Sequence, residues 1–132
     1  MGVFLSFDEL HRVLYIRFEG IVTDDVLLSR FDQVRAWIAS NGSCSSITDF
    51  TGVDSFQVTA SGVNQLASAP PLVPDSFLRI VVAPQDEIFG MTRMFEMLGC
   101  ATRNRVDVVR TMAEAFQVAG VQALDLHPLP DS

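Results

Sequence analysis

The chain has no lysine: its nine basic residues are all arginine, set against sixteen aspartates and glutamates for a formal net charge of -7. Without lysine there is no Schiff-base amine and no lysine for a Walker-type nucleotide loop, so two catalytic strategies fall away. The acidic balance also lacks the dense basic footprint that contacts a phosphate backbone, and nucleic acid is not an expected partner. Only Cys44 and Cys100 supply thiols, too few for a metal cluster or a secreted disulfide framework, and two reduced cysteines are expected. No stretch approaches the ~20 apolar residues of a membrane span. The residues from Met1 to Asp8-Glu9 lack the basic and apolar segments of a signal peptide, so a cytoplasmic location is expected. His11 and His127 stand apart from any Ser, Cys or second His in the sequence, and surface roles are expected for both. No catalytic constellation, metal set or cofactor motif emerges.

What is present is apolar content. Hydrophobic residues make up 48% of 132 residues and charged residues 19%, the balance of one domain over residues 1–132 that buries its own core. Val3 to Phe7 and Val13 to Glu19 read as strands, separated by the polar break from Asp8 to Arg12. In the second, Leu14, Ile16 and Phe18 alternate with Tyr15, Arg17 and Glu19, the period of a strand covered on one side only. Gly20 is expected to break it. Thr23-Asp24-Asp25 then supplies a capping side chain and negative charge for a helix start. Leu27, Phe31, Val34 and Ile38 recur at helical spacing, and Asn41-Gly42 ends the helix near Ser40.

Ser46 to Phe50 reads as a short third strand, followed by a loop at Thr51-Gly52-Val53-Asp54 and a helix from Thr59 through Ala67 that Ala69-Pro70-Pro71 stops. Phe77 to Ala83, apolar apart from Arg79, has the pattern of a central strand buried on both faces, ended by Pro84. Asp86-Glu87 opens a helix whose Ile88, Met91, Phe95 and Leu98 form one stripe, with Phe89, Met94 and Met97 off it; this apolar surface is wider than one packing face needs. Arg105 to Val109 reads as a last short strand, Thr111 to Ala119 as a last helix closed by Gly120, and residues 121–132, with Pro128 and Pro130, as an irregular tail. The alternation implies an α/β fold: a mixed, mostly parallel five-stranded sheet with about four helices.

The opening strands, Phe18-Glu19-Gly20 followed by Asp24-Asp25, and above all Phe89-Gly90-Met91-Thr92-Arg93-Met94-Phe95-Glu96 resemble the SpoIIAA-like family of the STAS-like fold, over roughly Val3 to Gly120. The resemblance implies a non-enzymatic interaction or regulatory module that binds a protein partner. In anti-sigma-factor antagonists of this fold, a Ser or Thr in a loop after the third strand is phosphorylated. The matching stretch here is Asp49-Phe50-Thr51-Gly52, which makes Thr51 the candidate phosphoacceptor and Asp49 to Phe56 the candidate partner surface. Phe50 stands where that pattern has a hydroxyl residue. The family is also similar in shape to lipid-exchange domains.

The alternative function is therefore a small apolar-ligand or lipid-binding domain, with Phe56, Phe89, Met91 and Arg93 near a pocket between helices and sheet. Arg93 either meets an anionic head group or pairs with Glu96 or Asp49. Asp49 draws notice on its own account, because open α/β sheets place ligands outside the carboxyl ends of their strands. Asp24-Asp25 and Asp86-Glu87 are expected to serve helix starts rather than chemistry. A homodimer through the wide apolar face of the Ile88–Leu98 helix is compatible with either function.

Overall fold

A computed structural model describes residues 2–69, 77–99 and 106–129. In chain order these form β1 (Gly2–Asp8), β2 (Val13–Thr23), α1 (Asp24–Asn41), β3 (Ser45–Gln57), α2 (Ala60–Ser68), β4 (Arg79–Val82), α3 (Asp86–Gly99), β5 (Asp107–Val109), α4 (Met112–Ala119) and β6 (His127–Pro128). Pro70, Pro71, Cys100, Arg105 and Pro130, which figure in the expectations above, lie outside the described residues.

Three of the four described helix starts follow from a hydroxyl placed one residue ahead. Thr23, Thr59 and Thr111 are extended, and their side-chain oxygens accept the backbone N–H of Val26, Gly62 and Glu114 at 3.3, 3.1 and 3.2 Å. Each satisfies one of the donors that a first helical turn leaves without a carbonyl. Gly120, left-handed at φ 73°, closes α4 as its position in the sequence indicates.

The sheet runs β5-β4-β3-β2-β1-β6, with β2 to β5 parallel and both β1 and β6 set antiparallel to their neighbours. It is an α/β architecture with six strands rather than five, because His127 and Pro128 of the supposedly irregular tail pair with Phe7 and Ser6. Two other expectations fail together. Gly20 does not break β2, and Thr51 to Asp54 is not a loop. Both strands run on side by side, and β3 carries an extra residue at each of two register shifts, opposite Arg17/Glu19 and Gly20/Ile21. These are bulges, and Gly20 takes the positive φ of 78° that only glycine adopts at little cost. Gly52 stands where the strands crowd: a Cβ there would lie 3.0 Å from Glu19 Cγ and 3.1 Å from Arg17 Nη2.

Alternation along β2 divides the molecule. Leu14, Ile16, Phe18 and Val22 face α1, α2 and α3, joining Val34, Ile38, Val63, Ile88 and Phe95 in the larger core cluster. Phe18 stacks on Phe50 at 5.1 Å between ring centroids, and Phe50 meets Phe56 edge-on at 5.7 Å. Truncating a fully buried Phe18 or Ile16 to Ala costs about 2–5 kcal/mol on general grounds. On the other face α4 brings Met112, Ala115 and Phe116 onto Val13, Ile47, Ile80 and Val82. Beyond α4, that second face carries Phe4, Tyr15, Arg17 and Glu19, with Phe4 opposite Arg17 and half exposed.

The apolar surface of α3 is narrower than its sequence suggests. Phe89, Met91 and Met94 all pack against the larger cluster, leaving Met97 exposed at 74%. No described helix is long and apolar enough to cross a membrane.

Candidate functional site

The alternation that puts Ile47 and Asp49 on the α4 face turns Ser46, Thr48 and Phe50 toward the three-helix face. An ordinary core would have aliphatic side chains at all three positions. Here Ser46 and Thr48 are buried, neither hydroxyl is tied to another described side chain, and both line a cavity of about 70 Å³. The cavity lies between sheet and helices. From β4 it is lined by Arg79, Ile80 and Val81; from α1 by Leu27, Phe31 and Arg35; from α2 by Val63 and Leu66; and from α3 by Met91, Thr92 and Phe95, with Phe50, Phe56 and Val106 completing the described walls. Thr92 donates its hydroxyl hydrogen to the Ile88 carbonyl at 2.8 Å and so presents only lone pairs. Arg35 Nη1 lies 2.8 Å from the exposed Asp32 carboxylate, and the Arg79 guanidinium sits 5.8 Å from the centroid of the Phe95 ring.

A second polar cluster occupies the opposite face. Asp49 is 1% exposed and its carboxylate is fully engaged. Oδ1 accepts the Thr51 N–H at 2.8 Å, while Oδ2 accepts the Tyr15 hydroxyl and Arg17 Nη1–H, the latter at 3.1 Å. Arg17 also donates from Nε to Glu19 at 2.7 Å and from Nη1 to Thr51 Oγ1 at 3.3 Å. Burial first, and then the hydrogen bond to Asp49, push the Tyr15 hydroxyl up to about 12. This cluster is closed on itself: its one buried carboxylate already has three donors, so it anchors β2 to β3 rather than offering a ligand position.

The sequence candidates therefore separate. Phe56 and Met91 line the cavity. Phe89 and Arg93 are not among its walls: Phe89 packs under the Arg110 guanidinium at 3.9 Å, and Arg93 pairs with Glu96 at 3.2 Å, the surface alternative to a head group. Asp49 does not end a strand, since β3 continues to Gln57. Thr51 is exposed but lies within that strand, and the next helix begins only at Ala60. A phosphate there would meet Asp49 and Glu19 as well as Arg17, and no helix N-terminus.

Several residues that matter here carry no motif. Arg35, Ser46, Thr48 and Arg79 are the polar lining that sequence reading passes over; the one available signal is Arg79, a lone charge in an otherwise apolar strand. Asp8 is another. Fully buried, it accepts the His11 N–H at 2.8 Å and the Asp125 N–H at 2.9 Å, with His11 Nδ1 at 3.1 Å. Burial opposes its ionisation, but the two backbone donors and His11 outweigh that and bring its pKa down to about 2. His11, exposed as expected, thus also braces a hairpin turn. Among the described residues, no group of three or more His, Cys, Asp or Glu is placed to hold a metal ion.

In comparison with known proteins, no family model and no curated protein matches the chain, so its classification rests on its architecture, an α/β domain whose described residues form four helices and a six-stranded mixed sheet.

Proposed function

We propose that this domain is a non-enzymatic binding module that holds a small, largely apolar molecule in the cavity between α1, α2, α3 and the sheet. The observation that carries this reading is the make-up of the cavity: aromatic and aliphatic walls around two buried strand hydroxyls. Polar side chains set among apolar walls beside open space are what a ligand or ordered water engages. Ligand sites generally combine apolar walls with a few convergent polar groups in this way.

Native mass spectrometry on freshly purified protein, compared with the denatured chain, tests the proposal. The expected result is an added small mass that disappears on denaturation and is absent from a cavity-filling Val63→Phe variant. Bare protein in the native spectrum, unchanged after incubation with a panel of small apolar compounds, overturns it.

One observation favours a second reading, the partner-binding module that the family resemblance implies: Phe4, Arg17 and Thr51 are accessible together on the sheet face beyond α4. In that case Thr51→Asp alters partner capture from host extract, and an unaltered set of captured proteins removes the reading.

A further inference from the structure

The strip of chain along the outer edge of β1 covers only part of it. β6 pairs with Ser6 and Phe7, and the Leu129 N–H donates to the Leu5 carbonyl at 3.0 Å. That bond shows which backbone groups of β1 point away from β2. In an antiparallel ladder they alternate, so with Leu5 turned outward, Phe7 and Val3 are turned outward too. Among the described residues nothing takes up the Val3 N–H and C=O on that side. The open stretch also lacks the devices that keep a strand edge from pairing, since Gly2 to Phe7 include no charge and no proline.

We propose that Gly2–Phe4 is a strand-addition site and that its occupant is the same segment of a second copy, running antiparallel about a two-fold axis through Val3. An extended chain answers the outward donor and acceptor of Val3 directly, because it offers an acceptor and a donor at one residue. The side chains select a second copy as that chain. A register centred on Val3 sets Gly2 of one copy opposite Phe4 of the other, twice by symmetry. Phe4 is half exposed, and its ring leans back over Gly2, where an added Cβ would lie 3.6 Å from Cζ. The glycine leaves room for an opposing ring, so each copy presents one ring and one gap on the face away from α1, α2 and α3, and the two rings meet diagonally across the axis. On the helix side Val3, which packs on the larger core cluster, meets its own copy as a β-branched pair.

The pairing joins two six-stranded sheets edge to edge. The contact is small and each copy carries a net charge of -7, so the dimer is weak and tightens as salt screens the repulsion.

Sedimentation equilibrium of the full chain from about 10 µM to 1 mM, with amide hydrogen exchange at both ends of that range, tests the proposal. The expected result is a reversible dimer in which exchange at the Val3 amide slows about tenfold or more at the higher concentration. Phe4→Ala should weaken dimerisation about tenfold. Val3→Pro removes an outward N–H that the described fold does not use, and should leave a folded monomer; if that variant fails to fold, Phe4→Ala and the exchange at Val3 decide. A chain that stays monomeric to about 1 mM overturns the proposal, as does a dimer that both substitutions leave intact, which puts the contact on another face. A Val3 amide protected equally at both concentrations means an edge closed within one chain, and overturns it as well. Protection gained only in the presence of host extract assigns the edge to a different protein and removes the second copy as its occupant.

Discussion

Replacing Gly62 by alanine places a methyl group in a carboxylate. An ideal Cβ at this position lies 2.1 Å from Asp24 Oδ1 and 2.5 Å from its Cγ. That carboxylate, from the first turn of α1, accepts the Thr59 N–H at 2.8 Å and the Thr59 hydroxyl at 2.7 Å, and so joins the start of α1 to the start of α2. Gly62→Ala must drive Asp24 out and break both bonds. Hydrogen bonds to a charged acceptor contribute ~1.5–3 kcal/mol each when sheltered; because Thr59 is exposed and water replaces the lost acceptor, about 1 kcal/mol each is the better figure. Alanine returns roughly 0.5–1 kcal/mol through its higher helix propensity. The net expectation is a loss of about 1–1.5 kcal/mol, or a melting temperature lower by roughly 4–5 °C for a domain of this size. Gly90 in α3 is the internal control, since a Cβ there meets nothing within 4 Å, and Gly90→Ala should stabilise by roughly 0.5–1 kcal/mol. Urea denaturation of both variants gives the two signs. A Gly62→Ala protein as stable as the parent refutes the argument, as does an equal cost in an Asp24→Ala background, where the clash no longer exists.

Tyr15 is the chain's single tyrosine, so tyrosinate absorbance reads it alone. Its midpoint should fall near 12 in the folded protein and return to about 10 in denaturant. Because the folded pKa is raised, the stability it contributes is complete below pH 10 and is lost as pH climbs through 12. Asp8 has the opposite sign: held near 2 against an ordinary 3.8, it stabilises the fold above pH 3.8 and ceases to do so as pH falls toward 2. Asp8→Asn should therefore cost on the order of 1–2 kcal/mol at neutral pH and flatten the acid limb of a stability-versus-pH curve measured by urea midpoints. Thr48→Val keeps the shape and removes a hydroxyl that no described side chain engages, so the ligand-free protein should gain roughly 0.5–1 kcal/mol in thermal unfolding while retention of the small mass in the native spectrum weakens.

Much of the fold is written locally. Thr23, Thr59, Thr111 and Gly120 announce helix ends because capping needs only neighbours along the chain, and Leu14-Tyr15-Ile16-Arg17-Phe18 states which face of β2 is covered. The failures have one physical source. Thr51-Gly52 and Gly20 have turn composition, yet the same backbone freedom serves a bulge when a partner strand is present, and that partner is remote in sequence. β6 exists only through Phe7 and Ser6, more than a hundred residues away. Similarly, a serine and a threonine in a strand say nothing about the space they face; Ser46 and Thr48 became site residues only when α1, α2 and α3 closed over them.

The bonds of Asp8 to both His11 and Asp125 tie the two ends of the chain to a single buried charge. With Leu129 N–H donating to the Leu5 carbonyl at 3.0 Å, residues 125–129 act as a cover strip along β1. A chain cut before Asp125 would lose one donor to a carboxylate that has no access to water, and would expose the hydrogen-bonding edge of a strand rich in Val, Phe and Leu. Shortening this protein by a few residues would therefore do two things at once, weakening the fold and creating a template for pairing with a second, equally shortened copy. Residues 125–129 close a strand edge as well as bracing a buried charge.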